Sequence, residues 1–241
     1  MANFNTHFMV ASGASAVVSG TLLSMEIVSP EEAMIAFLLG IFGGLLPDID
    51  SARSTAIKVG FNVFSLLMTA IIVFIKSSTY SLIEMFIVAS LVFAGIRFAM
   101  LDIFRKISKH RGMFHSIPVA LIFGIVTTIL MQYFFGLNSL VSWVYGFMIT
   151  TGYLVHLTLD EIYSVDLENK RMKKSAGTAL KFGKIKTTKD KIQTAIIYAL
   201  IPMLMSIAPD TTLIVNALFS HDAWLTFKDI LIPYDGNWFF H

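Results

Sequence analysis

His7, Asp48, Asp50, His110, His115, His156 and Asp160 are side chains able to bind a metal ion or move a proton. His156 and Asp160 are four apart, which on a helix stacks them on one face. Both can then reach one metal ion, or the carboxylate can orient the imidazole; a structural hydrogen bond is the plainer alternative. Asp48 and Asp50 follow a glycine-rich stretch in Leu46-Pro47-Asp48-Ile49-Asp50. Two carboxylates so close repel unless a cation lies between or beside them, and solvation at a helix end is their plain reading. His110 and His115, five apart, would diverge on a continuous helix, but Gly112 lets the chain turn both inward. His7 alone reads as an interfacial histidine. The chain has no cysteine, which excludes thiolate metal sites, cysteine nucleophiles and a disulfide framework. Imidazoles combined with carboxylates suit Zn, Mn or Fe, and a carboxylate can bridge two ions.

The segments that carry these groups belong in a membrane. Of 241 residues, 56% are hydrophobic and 14% charged, more apolar surface than a water-soluble chain of this length buries. From Gly112 to Leu159 there is no Asp, Glu, Lys or Arg. That length folds as a hairpin of two spans of roughly 20 residues, turning at Gly136-Leu137-Asn138-Ser139, and brings His115 and His156 to one side of the bilayer. Uncharged apolar runs predict spans near 8–25, 33–47, 57–75, 82–104, 114–135, 137–159 and 192–208, with a further apolar piece at 211–219. Membrane-embedded backbone must satisfy its own hydrogen bonds, so these are helices. Gly40, Gly43 and Gly44, and the Ala11–Ala16 run of small residues, allow close helix approach. The first run lacks a basic leader and reads as a retained span rather than a secretory signal. The expected fold is all-α: one polytopic membrane bundle over 1–241 with about seven spans, a basic loop at 165–191 and an aromatic tail at 220–241.

Arg105, Lys106, Lys109 and Arg111 form one basic cluster, and the lysines and arginine of 170–191 form another. An uncharged hairpin separates them, so both fall on one side, and basic loops face the cytoplasm. Counting spans from there puts the N-terminus inside. It also gathers His7, Asp48, Asp50, His110, His115, His156 and Asp160 at the cytoplasmic ends of the helices, with only His221 and His241 on the other side. Ionisable groups at membrane depth are costly and are kept for function.

Thr6-His7, Gly44-Leu45-Leu46-Pro47-Asp48-Ile49-Asp50, His110-Arg111 with His115-Ser116, and Gly152-x-x-x-His156-x-x-x-Asp160 resemble the motif set of the YdjM-type family of bacterial inner-membrane proteins. The resemblance covers roughly residues 1–183. It implies a metal-dependent hydrolase of the inner membrane, distantly similar to zinc-dependent phospholipase C and P1 nuclease, all-helical phosphoesterases with a His/Asp zinc site. Phe114 stands where the family pattern has threonine, so no hydroxyl is supplied there. The expected function is hydrolysis of a phosphoester in a lipid or lipid-linked substrate. One to three divalent ions, Zn foremost, are held by the seven residues above. Asp50 or Asp160 acts as general base, and Arg111 with a cation from 170–191 neutralises phosphate oxygens. A transporter is one alternative, weakened because Glu84 and Arg97, with Lys58 and Asp102 near span ends, are few charged groups to line a path through the other spans. A scaffold binding a cytosolic partner is the other. Nucleic acid is not expected, since only Phe182 interleaves the basic loop.

Overall fold

The computed structural model describes residues 4–47, 79–100, 115–163 and 180–232 except 184, together with isolated positions between 62 and 73 and the pairs 165–166 and 171–172. Two compact units are formed, one from Met1–Gly44 with His115–His241 and one from Leu45–Phe114. In the first lie α1 (Phe4–Ser24), α2 (Pro30–Leu45), α4 (Ile117–Ile129), α5 (Ser139–Ile162), α6 (Thr188–Ile207), α7 (Thr212–Leu218) and α8 (His221–Leu231). The second contains α3 (Leu82–Ala94), which continues as a π-helical turn, Gly95–Met100. Among the described residues the regular structure is helical except for one two-residue antiparallel pairing, β1 (Val165–Asp166) with β2 (Arg171–Met172).

Among the described residues, four helices are long and apolar enough to cross a membrane: Asn5–Ser24, Ile117–Phe134, Ser139–Ile162 and Thr188–Ile207. They correspond to the expected spans at 8–25, 114–135, 137–159 and 192–208. At 24 residues, α5 is about 36 Å long, enough for a hydrocarbon core of about 30 Å. The other expectations fare differently. α2, expected at 33–47, has 16 residues with Glu31 and Glu32 in its first turn. The piece at 211–219 is a seven-residue helix, only about 10 Å long and too short to cross. Within the 220–241 tail, residues 221–231 are helical. Most of 57–75 lies outside the described residues.

Local chemistry sets the ends. Asn138 Oδ1 accepts the N–H of Val141 at 2.9 Å and caps α5, while Gly136, at φ 71°, takes the left-handed turn between α4 and α5. α6 starts four residues before the expected span because Thr187 and Asp190 form a reciprocal capping box, each side chain accepting the other's backbone N–H at 3.1 Å. That pattern is visible in the sequence, but Lys189 and Lys191 disguise it as loop.

α5 is the central element. Val144, Met148, Tyr153 and Leu157 are fully enclosed along it, with α1, α2 and α4 packed around it. On α1 the buried positions His7, Ala11, Ser15 and Leu22 recur at helical spacing and make one stripe facing α5. Small residues replace large ones where α2 crosses α5. A Cβ on Gly152 would run into the Gly40 carbonyl and lie 2.7 Å from the Gly44 nitrogen.

Candidate metal centre

Four helix ends meet at one end of this first unit. α1 contributes His7 from its first turns, α2 ends at Gly44 and Leu45, His115 stands just before α4, and α5 brings His156 and Asp160 in its last turns. Ser116, at φ −152° and ψ 149°, is the extended residue that lets the chain turn from His115 into α4. The helical spacing of His156 and Asp160 does what their sequence separation predicts, with His156 Nε2 3.6 Å from Asp160 Oδ2.

Asp160 is the hub. Its Oδ1 lies 3.4 Å from His7 Nε2 and its Oδ2 lies 3.7 Å from His115 Nε2, in addition to the His156 contact. The His7 and His156 rings stack with centroids 3.7 Å apart and planes 9° from parallel, and His115 meets His156 edge-on at 5.9 Å. His7, His156 and Asp160 are at most 4% exposed. One donor atom from each of these three lies within 4.8 Å of the other two.

The distances discriminate between two uses of such a cluster. Nitrogen-to-oxygen hydrogen bonds centre on about 2.9–3.0 Å, and all three contacts to Asp160 are longer. Ligands held about 2.0–2.2 Å from a tetrahedral cation are separated from one another by about 3.3–3.6 Å. The 3.4 and 3.6 Å contacts to His7 and His156 fall in that second range, and the 3.7 Å contact to His115 lies just beyond it. The chemistry of the donors, imidazole nitrogen with carboxylate oxygen, suits Zn, Mn or Fe. His7, His156 and Asp160 together could hold a metal ion.

The orientation of His156 is fixed from behind. Its Nδ1 lies 2.7 Å from the carbonyl oxygen of Gly44, so the ring donates there and turns Nε2 toward Asp160. Metal-binding histidines are commonly oriented by such a bond on the second nitrogen. In the sequence Gly44 is part of a motif, but nothing there announces that its carbonyl carries this bond; a backbone acceptor leaves no residue-type signal beyond the glycine that admits it. Of the other expected site residues, Asp48, Asp50, His110 and Arg111 lie outside the described residues.

Comparison with known proteins agrees with the motifs. The family described as YdjM inner membrane protein matches residues 1–169, the stretch that holds His7, His115, His156 and Asp160. No curated protein and no solved structure matches the chain. The chain belongs to the YdjM inner membrane protein family.

Proposed function

We propose that the chain is a membrane-embedded, metal-dependent hydrolase of phosphoesters in lipid or lipid-linked substrates, working at the cytoplasmic ends of its helices with the N-terminus inside. The observation that supports this reading is the 3.4–3.6 Å spacing of the His7 and His156 nitrogens around one buried carboxylate, the separation expected of ligands that share a cation. His7, His156 and Asp160 would hold one ion, with His115, Asp48, Asp50 and His110 as further ligands in a site of one to three. When bound, the ion supplies a Lewis acid and an activated water for attack on phosphorus.

The chain's own residues have distinct parts. Asp50 or Asp160 would be the base that accepts the water's proton. Gly44, through its carbonyl, keeps the His156 lone pair aimed at the cation. Arg111 and a lysine of the 170–191 run neutralise the phosphate oxygens as charge builds. Ligands gathered at one end of the unit, with no charged residue along α4 or in α5 before Asp160, favour surface chemistry over transport through the bilayer. The test is elemental analysis of the purified protein beside hydrolysis of phosphatidic acid and other lipid phosphates. Bound metal with hydrolysis, both lost in His156→Ala, is expected; wild-type metal content in His156→Ala overturns the site, and metal without hydrolysis overturns the reaction.

A further inference from the structure

Residues 180–191 run Leu-Lys-Phe-Gly-Lys-Ile-Lys-Thr-Thr-Lys-Asp-Lys, apolar side chains interleaved with lysines. In a water-facing loop the apolar ones would fold inward. Here Phe182 is 66% and Ile185 70% exposed, and Lys186, Lys189 and Lys191 are exposed beside them. The one acidic residue of the stretch, Asp190, is buried and engaged as the α6 cap, its Oδ2 accepting the Thr187 N–H. The exposed charge is therefore of one sign.

This surface is built, not a loose tail. The Lys181 carbonyl accepts the N–H of Ile117 at 3.1 Å, the Phe182 carbonyl accepts the Tyr198 hydroxyl at 3.0 Å, and Thr187 closes the capping box. The backbone is held on both sides of Phe182 while its ring projects outward. The place also matters. α6 is a membrane-length helix whose Ile192, Ile196 and Met203 are exposed, and it starts within this stretch, so 180–191 sits where a hydrocarbon core gives way to headgroups. The Ile117 bond puts it beside the start of α4, two residues, or at most about 7 Å of chain, from His115.

We propose that residues 180–191 form a docking surface for the headgroups of anionic phospholipids, with Phe182 and Ile185 inserted among the acyl chains and Lys186, Lys189 and Lys191 on the phosphates. Aromatic side chains settle at the headgroup level, and clustered lysines at the same level select anionic over zwitterionic lipid. The claim rests on exposure, charge and position, and is independent of what the histidine site does.

The test places a fluorophore in the surface. Full-length Phe182→Trp protein is reconstituted in phosphatidylcholine nanodiscs containing an equal mole fraction of brominated phosphatidylglycerol or brominated phosphatidylcholine. The unchanged protein supplies the background from Trp143, Trp224 and Trp238. Quenching by both lipids is expected, stronger by roughly twofold or more for phosphatidylglycerol, with the difference abolished by combined Lys186→Glu, Lys189→Glu and Lys191→Glu. Ile185→Trp repeats the measurement should Phe182→Trp fail to fold. Equal quenching by the two lipids overturns the selectivity. Absence of quenching by either shows a surface facing water or a protein partner, and overturns the proposal entirely.

Discussion

His156 Nδ1 reaches the carbonyl oxygen of Gly44 at 2.7 Å across 112 residues of sequence. The bond exists because α2 and α5 approach until backbone touches backbone, and they do so because both carry glycine at the crossing. A packing feature thereby fixes the direction of the His156 Nε2 lone pair.

Gly152→Ala should therefore weaken metal binding, not merely stability. The added methyl meets the Gly40 carbonyl and forces α2 away from His156. Overpacking of this kind costs about 1–3 kcal/mol of stability, and losing the orienting bond should lower metal affinity about 10- to 100-fold. Gly124→Ala, which crowds Gly146 and Thr150 where α4 crosses α5, serves as the control. Titration with cobalt in detergent should show the loss in the first variant only; equal affinities in the two would mean that the Gly44 bond orients nothing of consequence.

Asp160→Asn keeps the shape of the hub and removes its charge. Three imidazoles surround that carboxylate, and an amide is a far poorer ligand for a divalent ion. Metal content after dialysis should fall from near stoichiometric to background while the helical circular dichroism is retained.

Much of this was legible in the sequence because the bilayer simplifies the problem. An uncharged run from Gly112 to Leu159 with Gly136 and Asn138 at its middle has few ways to fold other than a hairpin, and a hairpin forces His115 and His156 to the same end. The i, i+4 spacing of His156 and Asp160 needed only helical geometry. Less legible were elements whose apolar pattern is shared by different fates. Thr212–Leu218 is as apolar as a span but stops after seven residues, since Phe219 and the Ser220 cap begin another helix at His221. The choice of Asp160 as the hub came from packing: several carboxylates were equally eligible until α1 and α5 brought His7 against this one.

Removing the metal should loosen the first unit. A ligand present at 100 times its dissociation constant stabilises the folded state by about 2.7 kcal/mol, and here the ion would tie α1, α4 and α5 together. Protein treated with chelator and then dialysed should unfold at lower temperature, and zinc should restore the transition. His7→Ala should unfold at the same temperature with or without chelator. A chelator effect of wild-type size in His7→Ala would place the stabilising ion elsewhere.

Glu26 occupies a position better suited to glycine. At φ 56° it is the left-handed residue that ends α1, with the Ile27 N–H on the Leu22 carbonyl at 3.1 Å and its own N–H on Leu23 at 2.9 Å, the double bond pattern of a Schellman turn. Glu26→Gly should stabilise the protein by about 0.5–1 kcal/mol, seen as a raised thermal midpoint in detergent. Glu26→Ala, which keeps the strain of a Cβ, should not.

Helix directions give a prediction about sidedness. α1 and α4 begin at the histidine end and α5 finishes there. α6 must also begin there, because the Lys181 carbonyl, seven residues before it, is bonded to Ile117 at the start of α4. At the opposite end, Trp143 Nε1 donates to the Pro209 carbonyl at 3.1 Å, tying the beginning of α5 to the segment just after α6. Ser139 and Lys186 must then lie on opposite faces of the membrane. The natural chain has no cysteine, so Ser139→Cys and Lys186→Cys each carry a single thiol and need no background removed. In intact cells a membrane-impermeant maleimide should modify Ser139→Cys, while Lys186→Cys should react only after the cells are opened, as basic segments stay inside. Reversed labelling would keep the bundle and invert its orientation, moving the histidine site to the periplasmic face. Labelling of both from one side would break the alternation of α4, α5 and α6 on which the site's geometry depends.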